Sequence, residues 1–65
     1  MIKVGQIYTN YGKTYVVTNF ENKVFLLNTD GKCQGRSIDD VQKMTLIAHY
    51  PTWQEAVNSA EFKGE

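Results

Sequence analysis

The chain reads as a single, mainly β domain: a small antiparallel sheet or barrel of about five strands, closed by one short C-terminal helix. Three observations carry that reading. Up to Tyr50, apolar residues recur with period two in short runs rich in β-branched and aromatic side chains, the pattern of half-buried strands. The runs are cut by Asn10-Tyr11-Gly12-Lys13, Glu21-Asn22 and Thr29-Asp30-Gly31, whose Gly, Asn and Asp residues tolerate the backbone of tight hairpins. After Pro51 the period changes to that of a helix.

Val4–Thr9 predicts the first strand. Thr14–Phe20 is the strongest β segment, because nearly every residue is β-branched or aromatic. Alternation along it places Tyr15 and Val17 on one face, with Val16 and Phe20 on the other. Lys23–Asn28 predicts the third strand, and Lys32–Arg36, beyond the Asp-Gly turn, a short and weak fourth. Ser37–Val41 predicts a helical turn: Ser37 caps it, Asp40 stands three residues on, and Ile38 and Val41 fall on one side. Met44–Tyr50 predicts the last strand, which Pro51 stops because it has no N–H for the ladder. Thr52 and Glu55 then form a capping box, and Trp53, Ala56, Val57 and Ala60 recur at helical spacing. They predict one helix over residues 52–60, anchored on the sheet by a largely buried Trp53. Phe62 is positioned to clip the helix end down, and Lys63-Gly64-Glu65 should fray. The barrel therefore spans residues 1–50 of a single domain, 1–65.

A domain of 65 residues buries only about 60% of the surface that its unfolded chain exposes. Small domains are often reinforced by disulfides, metals or self-association. Cys33 is the only cysteine and His49 the only histidine, so neither an internal disulfide nor a four-ligand zinc site can be assembled. No cofactor is expected. Self-association remains, because strand edges must be covered, charged or paired. A twofold homodimer is expected, with the first strand and the Cys33-Gln34 segment as candidate edges.

Seven basic and seven acidic side chains give a formal net charge of zero. The lysines are scattered and Arg36 is the only arginine, which argues against nucleic acid as a partner, since phosphate recognition draws on a basic excess or stripe. No basic-then-apolar leader opens the chain, and no apolar run approaches the roughly 20 residues that span a bilayer. With the unpaired cysteine, this predicts a cytoplasmic location without membrane association.

No constellation of residues carries catalysis, so a non-enzymatic role is expected. Asp39 and Asp40 are adjacent on a helical turn and point in different directions, which suits capping rather than acid–base work. Cys33 lacks a neighbouring cysteine and is expected to be a small buried hydrophobe, not a nucleophile. Gly31 and Gly35 match no phosphate-cradling string. Small-molecule or nucleotide binding between subunits stays open, because aromatic stacking and a few backbone donors suffice for it.

Three hairpin-connected strands, a helical turn and a final strand make an order of elements that resembles small Src-homology-3-like barrels, over residues 1–50. The acidic and aromatic loop motifs of the eukaryotic peptide-binding members are absent, and the added C-terminal helix is a departure. An oligonucleotide-binding barrel competes, but it normally needs a longer chain and a helix inside the strand order. Val4-Gly5-Gln6-Ile7-Tyr8 and the stretch Leu46–Ser59 also resemble the opening and tail of short, mostly uncharacterised proteins from phages and prophages of Gram-positive bacteria. That resemblance implies an early or accessory phage protein acting in the host cytoplasm, a class that includes inhibitors of host enzymes and of antiviral defence.

The expected function is thus a non-catalytic module that binds and modulates a host protein. The alternatives are a protein that sequesters a small molecule or nucleotide, and a nucleic-acid-associated barrel. The last needs Lys13, Lys23, Lys32 and Arg36 on one face beside Tyr11 or Phe20. The expected contact surface is Tyr8, Tyr11, Tyr15 and Tyr50 with Arg36 at the rim, because Tyr and Arg dominate interface energetics. Tyr11 lies in a turn and Tyr50 directly precedes a proline, positions where a large ring is hard to explain by packing. The competing reading is that these rings cover the barrel ends.

Overall fold

The computed structural model describes residues 1–64, so Glu65, expected to fray, lies outside the described residues. Five strands form one open antiparallel sheet: β1 (Gln6–Asn10), β2 (Lys13–Phe20), β3 (Val24–Asn28), β4 (Cys33–Arg36) and β5 (Thr45–His49). Their order across the sheet is β4-β3-β2-β1-β5. Three short helices accompany them, α1 (Ile38–Gln42), α2 (Trp53–Val57) and α3 (Ala60–Lys63). None is long and apolar enough to cross a membrane.

The first four strands make a meander, after which α1 carries the chain back so that β5 pairs with β1. β1 is therefore an interior strand, not the edge that its shortness suggested. The edges are β4 and β5.

Turn chemistry sets the register. Asn10 pairs with Lys13, leaving Tyr11 (φ 51) and Gly12 (φ 77) as a two-residue loop with both angles positive, as a type I′ hairpin requires. In the β3–β4 turn the Asn28 side chain accepts from the Asp30 N–H at 3.0 Å and the Lys32 N–H at 2.9 Å. That local capture by an Asn is what favours the residue in turns.

Two irregularities redirect side chains. Val17 pairs with Leu26 and Asn19 with Phe25, so Thr18 is an extra residue in β2. A bulge reverses the alternation beyond it, and Phe20 packs with Tyr15 and Val17 instead of with Val16. In β5 the partners are Ile7 with Ala48 and Tyr8 with Leu46, which leaves Ile47 as the extra residue.

The core has two parts. One cluster joins Ile2, Tyr8, Tyr15, Val17, Val24, Leu26 and Val41, with Phe20 and Met44 against it. The other joins Ile7, Val16, Ala56 and Phe62, with Ala48, Tyr50, Trp53 and Val57 against it. Adjacent residues such as Val16 and Val17 fall in different clusters, so both faces of the sheet are covered. Each fully buried aliphatic side chain contributes about 1.5–3 kcal/mol of transfer free energy. The Cα radius of gyration, 10.3 Å, is close to the roughly 11 Å expected for a compact chain of this length.

Gly5 locks the two faces together. Its N–H donates to the Val17 carbonyl at 2.9 Å and its carbonyl accepts from the Tyr50 N–H at 2.9 Å. A Cβ there would lie 2.1 Å from the Tyr50 carbonyl oxygen, and φ is +93°. The neighbouring buried Gln6 ties down the N-terminus: its Oε1 accepts from the Lys3 N–H, and its Nε2 donates to the Met1 carbonyl. Ile2 is thereby held in the first cluster.

The capping residues behave as their types predict. Ser37 Oγ accepts from the Asp40 N–H at 3.1 Å and Thr52 Oγ1 from the Glu55 N–H at 3.2 Å. Val41 is buried while Ile38 stays partly exposed. The single C-terminal helix expected over 52–60 is instead two helices. Asn58 ends α2, and Ser59 (φ −78, ψ 157) leaves the helical region, with its Oγ accepting from the Phe62 N–H at 3.3 Å. A second N-cap thus starts α3 on a new axis. Ala60 is consequently exposed, Phe62 supplies the buried contact, and Trp53 is half-buried against the second cluster.

Candidate functional site

The β1–β2 hairpin lifts Tyr11 into solvent, where it is 96% exposed. It is the one non-glycine residue with positive φ among the described residues. Left-handed backbone costs an ordinary L-residue about 1–2 kcal/mol, and Asn or Gly would serve this turn better. Below the tip, β2 places Tyr15 opposite Tyr8, and β4 pairs Arg36 with Val24 of β3.

Two clefts meet at these residues. A cleft of about 270 Å³ separates the hairpin tip from α1, lined by Asn10, Tyr11, Tyr15 and Arg36 on one side and Asp40, Lys43 and Met44 on the other. A second, of about 350 Å³, lies between the start of β2 and the β3–β4 turn. Its walls are Lys13, Thr14 and Tyr15, then Asn28, Thr29 and Asp30, then Gln34 and Arg36. Tyr15 and Arg36 line both, so the clefts form one groove with those two residues at its middle.

Tyr15 is only 8% exposed, yet no buried side-chain polar atom among the described residues lacks a hydrogen-bond partner. The ring belongs to the first core cluster, and its edge faces the groove. Arg36 is exposed, and its Nη2 donates to Gln34 Oε1 at 3.5 Å, the long end of the hydrogen-bond range. A guanidinium has five N–H donors, so most of its capacity faces the clefts. The groove offers recognition chemistry: phenol edges, a guanidinium, amides, and a single carboxylate in each cleft.

Of the five residues expected at a contact surface, the structure brings together Tyr11, Tyr15 and Arg36. Tyr8 lies in the core at 6% exposure, its hydroxyl donating to Gln6 Oε1 at 2.8 Å, and burial pushes its pKa up. Tyr50 packs against the second cluster, on the other face, and its hydroxyl donates to the Glu61 carboxylate. That hydrogen bond raises the pKa of Tyr50 and lowers that of Glu61. Sequence reasoning missed Asn10, Asp40, Lys43 and Met44 in the first cleft, and Thr14, Asn28, Thr29, Asp30 and Gln34 in the second. The only signal for Asn10 was its place in the turn; Asp40 of α1, and Lys43 and Met44 just after it, reach the groove through tertiary structure alone.

The remaining candidates lie apart. Cys33 is exposed on β4, not buried, with its Sγ 3.9 Å from Thr18 Oγ1. β4 is an edge strand with solvent on one side, which explains the exposure. His49 sits on β5, the opposite edge. No three His, Cys, Asp or Glu side chains come together among the described residues. Comparison with family models, curated proteins and solved structures finds no match to the chain.

Proposed function

We propose that the chain is a non-catalytic binding module of Src-homology-3-like type that takes a protein partner in the groove over Tyr11, Tyr15 and Arg36. Tyr11 carries the reading: a large ring held in left-handed backbone and almost fully exposed does nothing for the fold. Strain kept at such a position points to function. The barrel-like assignment is supported by the strand order and by the helical turn α1 between β4 and β5. The resemblance of residues 4–8 and 46–59 to phage proteins supports, as the partner in this reading, a protein of a Gram-positive host whose activity the module modulates.

Lys23 and Lys32 line neither cleft, and each cleft holds an aspartate, which weighs against the nucleic-acid alternative. The hydrophilic, open lining weighs against sequestration of a small molecule. An edge-to-edge homodimer would use β5, where Leu46 and Ile47 are exposed. Light scattering at high micromolar concentration tests that; a monomer mass rejects it.

Tyr11→Asn is the decisive variant. It creates the preferred Asn-Gly turn and should raise stability by about 0.5–1 kcal/mol, while a host protein captured by the parent should be lost. A variant that captures the same protein equally well removes the groove from consideration.

A further inference from the structure

We infer that the groove is matched to a peptide segment bearing one acidic side chain, whose carboxylate is taken by Arg36. The inference rests on the reading of the groove as a protein-binding site, and it specifies the partner's chemistry.

Charge is distributed unevenly along the groove. The first cleft holds Lys43 with Asp40, and the second holds Lys13 with Asp30. Each end therefore has one charge of each sign. Arg36 in the middle is shared by both clefts, and its side-chain hydrogen bond among the described residues goes to the neutral Gln34 at 3.5 Å. Three cations against two carboxylates leave a local excess of one positive charge, on a chain whose total is zero. The excess belongs to Arg36, the cation that lines both clefts.

A planar guanidinium binds a carboxylate through two parallel N–H bonds, a fit that an ammonium cannot copy. The hydroxyl edge of Tyr15, lining the same two clefts, adds a donor for the same anion. A polyanion gains little here, since at each end a lysine is offset by an aspartate, Lys43 by Asp40 and Lys13 by Asp30, and only one positive charge remains uncompensated. The complementary ligand has a single Asp or Glu, with neutral or basic residues to either side. An apolar side chain next to it can lie on Tyr11 and Met44 in the first cleft.

Selection of a displayed random heptapeptide library on the parent, Arg36→Gln, Arg36→Lys and Tyr11→Asn tests the inference, with far-UV spectra and melting confirming that each variant folds. The parent should enrich peptides sharing Asp or Glu at one position. The best peptide should bind Arg36→Gln at least about tenfold more weakly, and Arg36→Lys should recover only part of that loss. The peptide's own Glu→Gln or Asp→Asn form should bind the parent and Arg36→Gln alike, as coupled partners do. Enriched peptides that need Tyr11 but share no acidic position would overturn the acidic specificity and leave the groove standing as a protein-binding site. No enrichment above a blank surface would overturn both. Tight, steeply salt-dependent retention of a 12-nucleotide single strand that requires Arg36 would replace the carboxylate by phosphate.

Discussion

The two faces of the sheet are closed by different means. The first is sealed by the chain's own long-range returns: the N-terminal arm brings Ile2, α1 brings Val41, and the strands supply the rest. The second is covered by α2 and α3, two short helices adjacent in sequence and each started by a hydroxyl cap. A face built from distant segments forms or fails with the whole domain. A face covered by a local, capped unit can open by itself. The groove belongs to the first face, through Tyr15 and α1, so its geometry is tied to global stability. The helical cover belongs to the other and can loosen without disturbing the groove.

Leu26→Ala should have the largest effect. Leu26 is fully buried in the first cluster, and a Leu→Ala change at such a site costs about 2–5 kcal/mol. A core of this size rarely supplies more than about 3–5 kcal/mol. Urea titration at 25 °C should therefore find the variant largely unfolded before denaturant is added. A cooperative transition at the parental midpoint would show that the first face is not the one on which folding depends.

Gly5→Ala comes next, because Gly5 joins the faces. The new methyl would meet the Tyr50 carbonyl oxygen, and the residue would have to hold φ +93°. We expect a loss of about 3 kcal/mol, combining left-handed strain with displacement of the Tyr50 segment. Urea unfolding measures it. A loss below about 1 kcal/mol, the scale of an ordinary mutation, would mean that the segment moves freely and the faces are uncoupled.

Trp53→Ala sharpens the contrast from the helical side. Full burial would predict about 3–5 kcal/mol, but Trp53 is half-buried at the margin of its cluster, so about 2 kcal/mol is expected. Hydrogen exchange should show α2 and α3 amides losing protection while those of β2 and β3 keep theirs. Equal loss throughout would abolish the distinction between the faces.

The same contrast explains what was legible in the sequence. Strands and turns are local: the runs around Val16-Val17 and Leu26, and the Tyr11-Gly12 and Asp30-Gly31 turns, carry their own signatures. The bulge at Thr18 has none, because it arises from how β2 pairs with β3, and one extra residue there moved Phe20 to the opposite face. The break between α2 and α3 did have a signal: Ser59 stands three residues before Phe62, as a cap does, but the continuing helical period of Trp53, Ala56, Val57 and Ala60 masked it. For the groove, residue type suggested Tyr11, Tyr15 and Arg36, yet the same argument nominated Tyr8 and Tyr50. Tertiary structure separates them: Tyr8 and Tyr15 face each other in the same cluster, but the Tyr8 hydroxyl is taken by Gln6 while Tyr15 lines both clefts, and Tyr50 packs on the other face. Asp40 and Lys43 were invisible as groove residues, because their place depends on where α1 docks.

The smallest expected effect is a pH-dependent loosening of α3. Glu61 accepts the Tyr50 hydroxyl hydrogen bond, and this holds its pKa below the ordinary value of 4.5. A group whose folded pKa is depressed contributes stability that is present above its unfolded pKa and is lost as pH falls through the folded one. The Glu61 contribution should therefore fade below pH 4.5. Tyr50 is shifted the other way, above its ordinary 10.0, chiefly by the same hydrogen bond. Its contribution is complete below that value and disappears as pH rises through the raised one. The link is thus intact between the two limits and released at both, and because it is exposed the change should be modest. The Phe62 amide, capped by Ser59 at the start of α3, is the reporter. Its hydrogen-exchange protection, corrected for intrinsic rates, should drop at both extremes in the parent. Tyr50→Phe should show low, flat protection there while β2 amides match the parent. If Phe62 protection in Tyr50→Phe follows the parental pH profile, the hydrogen bond is not what holds α3 on the second face.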